Sequence, residues 1–260
     1  MNLYTNPISQ NCRKVTIVAS ILDLPLEYIV VDVFKGEQRK PEYQAMNPNC
    51  KVPVLEDGDF VVWESNAIMQ YLAAKKPNAL WPQHEQTRVH INGWQCWELA
   101  HWGPAIQPYV WENMIKPRLG QGDPDFAELK KAEERYQRFA SVLDSQLAKQ
   151  PYLVGEELTL ADISVGCHLM YAQPGKLPLQ HFRHFLCLIF FLMAFYPDHR
   201  FYPDHRLTAA FYPDCCLVVA FYPGHCLAVT STRSECLRQA AHVVAFYPGH
   251  CLAVTLYSRL

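Results

Sequence analysis

The sequence predicts an α/β fold, in which a mixed four-stranded sheet with helices (residues 1–76) precedes an all-α domain (residues 85–183) and a low-complexity repeat tail (residues 184–260). The first region alternates short β-branched runs with helical apolar spacing. The second region has helical spacing throughout, and the third repeats the word FYP five times. These patterns indicate three regions of different architecture.

The N-terminal region has the element order β-α-β followed by β-β-α. Apolar patterns place a strand at residues 3–4, a helix at 12–22, a strand at 28–33, strands at 52–55 and 60–62, and a helix at 66–76. Residues 56–59, Glu-Asp-Gly-Asp, are a hairpin signal between the last two strands. This element order is thioredoxin-like and predicts a small mixed sheet.

The second region follows a proline-containing linker at residues 76–82. We expect helices at residues 85–116, with a break at Gly103-Pro104, and at 124–149 and 160–173. Asp123 before Pro124 predicts a helix start, because Asp caps free N–H groups and Pro fits the first helical position. Thr159 with Asp162 predicts a capping box for the third helix.

The tail repeats a motif that contains FYP at irregular intervals, with the phenylalanines at positions 195, 201, 211, 221 and 246. A solenoid needs a fixed period of at least about 20 residues, so this spacing does not predict one. The apolar stretch 185–195 is shorter than the ~20 residues of a membrane span, and the GHC words lack zinc-site spacing. We interpret the tail as low-complexity sequence that is not native to the preceding fold, with a functional repeat as the alternative.

Charge, cysteine content and the N-terminal sequence restrict the classes of partner and the cellular compartment that we expect. The net charge is −2 and no basic cluster occurs, so nucleic acid is not an expected partner. The N-terminus leads directly into a strand without a signal-like apolar segment, and only four of the ten cysteines precede residue 184. We therefore expect a cytoplasmic protein with no membrane association and no metal site.

The most informative segment is residues 51–68, KVPVLEDGDFVVWESNAI. Val52-Pro53 is a candidate cis peptide bond, which would leave the N–H and C=O of Val52 free to pair with an extended peptide ligand. Glu64-Ser65 places a carboxylate beside a hydroxyl group at the start of a helix. The segment thus predicts a site for a small peptide.

Four segments resemble the soluble glutathione transferases. KVPVLEDGDFVVWESNAI is similar to their glutathione-binding segment, and YTNPISQNCRKV (residues 4–15) to the strand, loop and helix start that carry the serine of serine-type members. FKGEQRKPEY (34–43) resembles the loop after their second strand, and LTLADI (158–163) their helix-capping element. The resemblance covers about residues 1–183 and is closest to theta- or phi-like members.

This resemblance implies the residues of the site. Ser9 would be catalytic, the Val52 backbone would pair with the cysteinyl part of glutathione, and Glu64 and Ser65 would hold its γ-glutamyl end. The complete set of implied glutathione-binding residues is Gln38, Arg39, Lys51, Val52, Pro53, Glu64 and Ser65. Gln38, Arg39 and Lys51 would hold the glycine carboxylate, although many serine-type members carry His then Lys where Gln38 and Arg39 stand.

The chemistry expected of Ser9 is activation of a thiol. A free thiol with a pKa of about 8.5 is mostly protonated at neutral pH, so an enzyme must favour the thiolate. The Ser9 hydroxyl and the N-terminus of the following helix would both stabilise a sulfur anion, with no metal or other cofactor. Cys12 is the competing candidate in this loop, but we expect it to pack inside.

The electrophile pocket is expected in the helical domain, where Trp97, His101 and Trp102 belong to an aromatic cluster. Trp97 and His101 share a helix face at i, i+4 spacing. The alternative is that this stripe is core between the two domains.

The resulting hypothesis is a homodimeric detoxification enzyme that transfers glutathione to a small apolar electrophile. One alternative is a non-catalytic protein that binds glutathione or hydrophobic molecules. Another is an unstable product of a rearranged gene end, because loss of terminal helices would expose apolar side chains of the third helix. Those side chains are Ile163, Val165, Leu169 and Met170.

Overall fold

The computed structural model describes residues 1–179, 182 and 184, and the backbone of five later strands. The chain divides into two compact units, Met1–Tyr196 and Pro197–Leu260. The apolar stretch 185–195, the first two FYP motifs and the Cys and His side chains of the tail beyond residue 184 lie outside the described residues. Among the helices of the described part, none is long and apolar enough to cross a membrane.

A four-stranded mixed sheet forms the N-terminal domain, as predicted. Its strands are β1 Asn2–Thr5, β2 Glu27–Val30, β3 Val54–Asp57 and β4 Phe60–Trp63, in the spatial order β2-β1-β3-β4. β1 pairs parallel with β2 and antiparallel with β3, and β4 pairs antiparallel with β3. The hairpin turn is shorter than expected, because Glu56 and Asp57 belong to β3 and Gly58 supplies the positive φ of 62°.

Helices pack on this sheet and then form the second domain. They are α1 Gln10–Ile21, α2 Pro41–Met46, α3 Ser65–Ala74, α4 Glu85–Trp97, α5 Gly103–Val110, α6 Lys116–Arg118, α7 Phe126–Leu147 and α8 Leu160–Gly166. Short 3-10 turns cover Glu37–Arg39 and Cys167–Tyr171.

The expected helix break at Gly103-Pro104 is wrong. π-helical turns at Glu98–Trp102 and Trp111–Ile115 join α4, α5 and α6 into one continuous helical run. Pro104 lies inside this run and has no N–H to donate to the preceding turn. The wider π turn just before it keeps the helix continuous.

The two predicted helix caps have different outcomes. The capping box of Thr159 and Asp162 is confirmed at the start of α8. Asp123 is not the cap of α7, because the helix starts three residues later and Asp125 accepts hydrogen bonds from the N–H groups of Ala127 (2.8 Å) and Glu128 (3.3 Å). A second Asp two residues on therefore satisfies the free N–H groups.

α8 lies at the centre of the first unit, where it packs against α1, α3 and α4. Ile163, Val165 and Leu169 are fully buried, and Met170 is partly buried against the same core. The expected exposure of this apolar face is therefore wrong. Much of the face is turned toward helices of both domains.

The second unit contains an antiparallel sheet that the repeats did not lead us to predict. Its strands are β5 Ala210–Tyr212, β6 Leu217–Tyr222, β7 His225–Thr230, β8 Ala241–Tyr247 and β9 His250–Leu256, paired in sequence order. Similar sequence repeats form equivalent strands. LVVAFY lies in β6 and HVVAFY in β8, and HCLAVT lies in both β7 and β9. The repeated segments therefore pair with one another as the strands of antiparallel hairpins. That the tail is not native to the preceding fold stays a prediction.

Candidate functional site

Ser9 lies at the N-terminus of α1, where it is the residue that precedes the first helical turn. Its backbone is extended (φ −74°, ψ 122°) and its side chain does not cap the helix. The Ser9 N–H donates to Asn6 O at 3.0 Å, and Ile8 N–H donates to Asn6 Oδ1 at 3.1 Å. The loop thus presents a half-buried hydroxyl beside the positive end of a helix dipole.

Cys12 packs inside α1, as expected. Its side chain is 1% exposed, and its sulfur accepts the Asn6 N–H at 3.2 Å. Burial raises the pKa of the Cys12 thiol and outweighs hydrogen bonds from Asn6, Thr5 and Ser9 that act in the opposite direction. A buried thiol held in its neutral form is a poor nucleophile.

The Val52-Pro53 peptide bond is cis, as the sequence predicts. It lies between α2 and β3, where Tyr43 Oη and Asn47 Nδ2 donate to Lys51 O at 2.9 and 2.7 Å. Across residues 1–179, no described hydrogen bond engages the N–H or C=O of Val52. The backbone of Val52 is therefore available to an extended ligand.

Glu64 and Ser65 lie where β4 passes into α3. Glu64 has a φ of 74° and an exposed side chain, and its carbonyl accepts the N–H of Ile68 at 2.9 Å. Ser65 is buried, and its hydroxyl donates to Asn11 Oδ1 at 3.3 Å. This contact brings the start of α3 against the start of α1, so the two helix N-termini of the predicted site are adjacent.

Gln38 and Arg39 lie on the 3-10 turn that precedes α2. Gln38 Nε2 donates to Val33 O at 3.3 Å, and its buried Oε1 has no partner among the described residues. Arg39 and Lys51 are exposed cations at opposite ends of the α2 segment. The structure describes where these side chains lie, and their binding roles stay predictions.

A cavity of about 500 Å³ lies beside the start of α1, where Gln10 and Asn11 form part of its wall. The helical domain supplies its apolar lining, which comprises Leu99, Pro104, Ile106, Val110 and Ile115. Glu98, Gln107, His168 and Tyr171 add polar groups. Its volume lies within the usual range of small-molecule sites, and Gln10 and Asn11 directly follow Ser9 in the chain.

The three aromatic residues expected in the electrophile pocket do not line this cavity. Trp102 is fully buried, donates to Val165 O at 3.2 Å and stacks on Trp97. His101 is exposed and stacks on Phe139 with ring centroids 4.9 Å apart. The rings of Trp102 and His101 face α8 and α7 of the helical domain, respectively. The role of the three residues toward an acceptor stays a prediction.

A buried charge cluster, missed at the sequence level, joins the two domains. Lys14 of α1 is fully buried, and its Nζ lies 2.9 Å from Glu98 Oε2. His168 Nε2 contacts the other oxygen, Glu98 Oε1. Asn66 Nδ2 and Ser164 Oγ donate to Glu98 Oε2 at 3.2 and 3.0 Å. Four elements therefore converge on one carboxylate.

The electrostatics of this cluster favour an ionised Lys14–Glu98 pair and a neutral His168. Burial alone would raise the pKa of the Glu98 carboxyl, but the Lys14 ammonium and the contact with His168 hold that pKa far below its usual range. Burial lowers the pKa of His168. Lys14, Glu98 and His168 each interrupt an apolar helix face, which is the signal that could have marked them.

Comparison with known proteins agrees with this geometry. Two family models match, "Glutathione S-transferase, N-terminal domain" over residues 3–80 and "Glutathione S-transferase, C-terminal domain" over residues 121–201. The second match continues 18 residues beyond residue 183, where the sequence resemblance was expected to end. Among the described residues, no group of three or more His, Cys, Asp or Glu side chains is placed to hold a metal ion.

Individual relatives support the same family. Glutathione S-transferase 3 of Zea mays is 34% identical over 165 residues, which are 62% of this chain and 73% of the relative. Glutathione S-transferase theta-3 of Mus musculus is 30% identical over 187 residues, 67% and 78% of the two chains. The crystal structure of human glutathione transferase theta-2 in complex with glutathione has a TM-score of 0.68 at 27% identity, covering 75% of this chain and 81% of that one. The chain therefore belongs to the glutathione S-transferase family, whose enzymes use glutathione as their co-substrate.

Proposed function

We propose that this protein transfers the glutathione thiolate to a small, largely apolar electrophile, with Ser9 as the residue that activates the thiol. The observation that carries the proposal is the position of Ser9. It lies at the N-terminus of α1 and directly precedes Gln10 and Asn11, which form part of the wall of a cavity of about 500 Å³. A thiolate held at the helix start would face an acceptor in that cavity.

The chemical step needs no general base in the protein. The Ser9 hydroxyl would donate one hydrogen bond to the sulfur anion, and the N-terminus of α1 would add partial positive charge. Both interactions favour the charged form of the thiol and lower its pKa. A shift of two units would be worth about 2.7 kcal/mol and would leave most of the thiol ionised at pH 7. The thiolate then attacks the electrophilic carbon, and the leaving group departs or a double bond or epoxide opens.

Glutathione would lie along the edge formed by the loop before β3 and the start of α3. The free backbone of Val52 would pair with its cysteinyl part, and Ser65 with Glu64 would hold its γ-glutamyl end. Gln38, Arg39 and Lys51 would contact the glycine carboxylate. The acceptor would occupy the cavity lined by Leu99 and Val110.

The test is absorbance of the thiolate near 240 nm during titration with glutathione, for the full-length protein and Ser9→Ala. We expect a saturable signal at pH 7 that is lost in Ser9→Ala, together with the transferase activity. Ser141→Ala is the matched control, because its exposed hydroxyl only donates to Gln137 O. Saturable binding without a thiolate signal in the unaltered protein would instead support the non-catalytic binding protein.

Homodimerisation, a cytoplasmic location and a role in detoxification belong to the same proposal. Exposed apolar side chains on β4 support the dimer, since Phe60, Val61 and Trp63 are 48%, 38% and 37% exposed. Sedimentation equilibrium should give twice the mass of one chain. A monomer at micromolar concentration would contradict the dimer and leave the thiolate chemistry untouched.

A further inference from the structure

We propose that Tyr171, from the helical domain, is a positioning residue: it positions Ser9 by holding the chain on both sides of that serine. This inference rests on the proposed function, because it concerns the placement of the thiol-activating hydroxyl. Tyr171 lies at the end of the 3-10 turn after α8, 162 positions from Ser9 in the sequence.

The phenol contacts both neighbours of Ser9. Tyr171 Oη lies 2.7 Å from Ile8 O and accepts the N–H of Gln10 at 3.0 Å. The side-chain oxygen of Gln10 lies 2.6 Å from the same hydroxyl. A hydroxyl has one proton and two acceptor sites, so it can donate to Ile8 and accept from Gln10 at once. One atom thus bridges the residues before and after Ser9.

Tyr171 is itself held firmly. Its side chain is 5% exposed, and the N–H of Gly175 donates to its carbonyl at 2.8 Å. A Cβ at position 175 would lie 2.7 Å from that carbonyl oxygen, so this close approach requires glycine. The ring therefore reaches the loop from a fixed backbone.

The rest of the loop is anchored by its own domain. Asn6 Nδ2 donates to Val31 O at 2.9 Å, and Arg13 Nε donates to Pro7 O at 2.8 Å. These bonds hold the loop at Asn6 and Pro7, before Ser9, and the Tyr171 hydroxyl adds a contact from the helical domain. Misplacement of a catalytic group by about 1 Å can cost on the order of 100-fold in rate, so the bridge bears directly on the chemistry.

The test compares Tyr171→Phe with Tyr136→Phe in the full-length protein. Tyr136 is fully buried in the helical core, and its hydroxyl has no hydrogen-bond partner among the described residues. Both variants remove one buried hydroxyl, but only Tyr171→Phe releases the Ser9 loop. We expect Tyr171→Phe to lower kcat on the order of tenfold or more, to raise the pKa of bound glutathione and to leave its KM nearly unchanged. Tyr136→Phe should match the unaltered protein.

A double-mutant cycle identifies the route of the effect. In the Ser9→Ala background, Tyr171→Phe should cause no further loss, because the residue it positions is already absent. Gln10→Pro is a second variant that keeps the tyrosine ring. It removes the N–H donor at the first helical position, which proline tolerates, and it should shift kcat and the thiol pKa in the same direction.

The remaining outcomes distinguish failure of the positioning role from failure of the proposed function. If Ser9→Ala abolishes the thiolate signal while Tyr171→Phe and Gln10→Pro change nothing, the positioning role is overturned and the proposed function stands. If both tyrosine variants lose activity equally, Tyr171 contributes only packing and the inference is again overturned. If Ser9→Ala retains the signal, the proposed function itself fails.

Discussion

The two domains build opposite walls of the candidate site in different ways. The N-terminal domain contributes backbone groups and helix starts from contiguous segments, such as Val52 before β3 and Ser65 at the start of α3. The helical domain contributes side chains from distant segments, among them Glu98, Leu99 and Tyr171. A wall formed by local backbone geometry can be predicted from short sequence motifs. A wall made of packed side chains depends on how several helices meet.

The largest expected effect concerns the carboxylate that joins the two walls. Glu98→Gln should lower the free energy of unfolding by about 3–5 kcal/mol, because it leaves the buried Lys14 ammonium without a counter-charge. The measurement is urea denaturation at pH 7.5. Replacing Lys14 by Met in the same chain should recover part of the loss, since the uncompensated charge is then gone.

Glu128→Gln is the matched control for this prediction. Glu128 pairs with Lys131 at 2.6 Å on the exposed surface of α7. An exposed pair is worth about 0–1 kcal/mol, so this variant should be nearly neutral. Equal losses in Glu98→Gln and Glu128→Gln would mean that the buried cluster is not what ties the domains together.

The next effect sharpens the difference in what each wall recognises. Leu99 is 52% exposed and lines the cavity beside α1. Leu99→Trp should reduce kcat/KM for bulky apolar acceptors by about 10- to 100-fold through loss of space, with the KM for glutathione unchanged. Steady-state kinetics with acceptors of graded size provide the measurement.

His101→Ala is the control for the acceptor wall. His101 stacks on Phe139 outside the cavity, so its loss should leave acceptor selectivity as it is. A change in acceptor selectivity for His101→Ala without one for Leu99→Trp would support the aromatic pocket that the sequence predicted.

The smallest expected effect is a dependence of stability on pH. Burial lowers the pKa of His168 from its usual 6.5, so below pH 6.5 the unfolded chain binds a proton that the folded protein excludes. The free energy of unfolding should therefore fall by about 1 kcal/mol from pH 7.5 to 5.5 through this group. Glu98, whose pKa is also lowered, adds its own loss only below its unfolded value of 4.5.

Denaturant titrations at pH 7.5 and 5.5 test this prediction. His168→Gln keeps a polar partner for Glu98 but cannot titrate, so its pH dependence should be smaller by that amount. An equal pH dependence in the two proteins would show that His168 is not the group responsible.

Sequence reasoning succeeded where a few neighbouring residues determine a conformation. The cis bond at Val52-Pro53, the capping box of Thr159 and Asp162, and the mixed four-stranded sheet were predicted correctly. It failed where a local signal competed with its surroundings. Gly103-Pro104 does not break the helix, because a π turn absorbs the irregularity before it.

The direction in which the aromatic rings face was not predictable for a related reason. Trp97, His101 and Trp102 share one stretch of helix, and helical spacing alone does not tell which neighbour that face meets. α7 and α8 meet the rings of Trp102 and His101, so the cavity is lined by other residues of the same run. The antiparallel sheet of β5–β9 was not predicted, because a repeat period bears on solenoid stacking and does not show whether short repeats pair as hairpins.

The sequence by itself determined the family, the thioredoxin-like order of elements and the segments that would hold glutathione, because each depends on contiguous residues and their backbone geometry. Only the tertiary structure decided that Glu98 neutralises Lys14 inside the protein and that Tyr171 reaches both neighbours of Ser9. These contacts join residues 84 to 163 positions apart. Burial strengthens these charge interactions and hydrogen bonds, because the protein interior has a low dielectric constant. Burial depends on how the whole chain packs and cannot be read from a short segment.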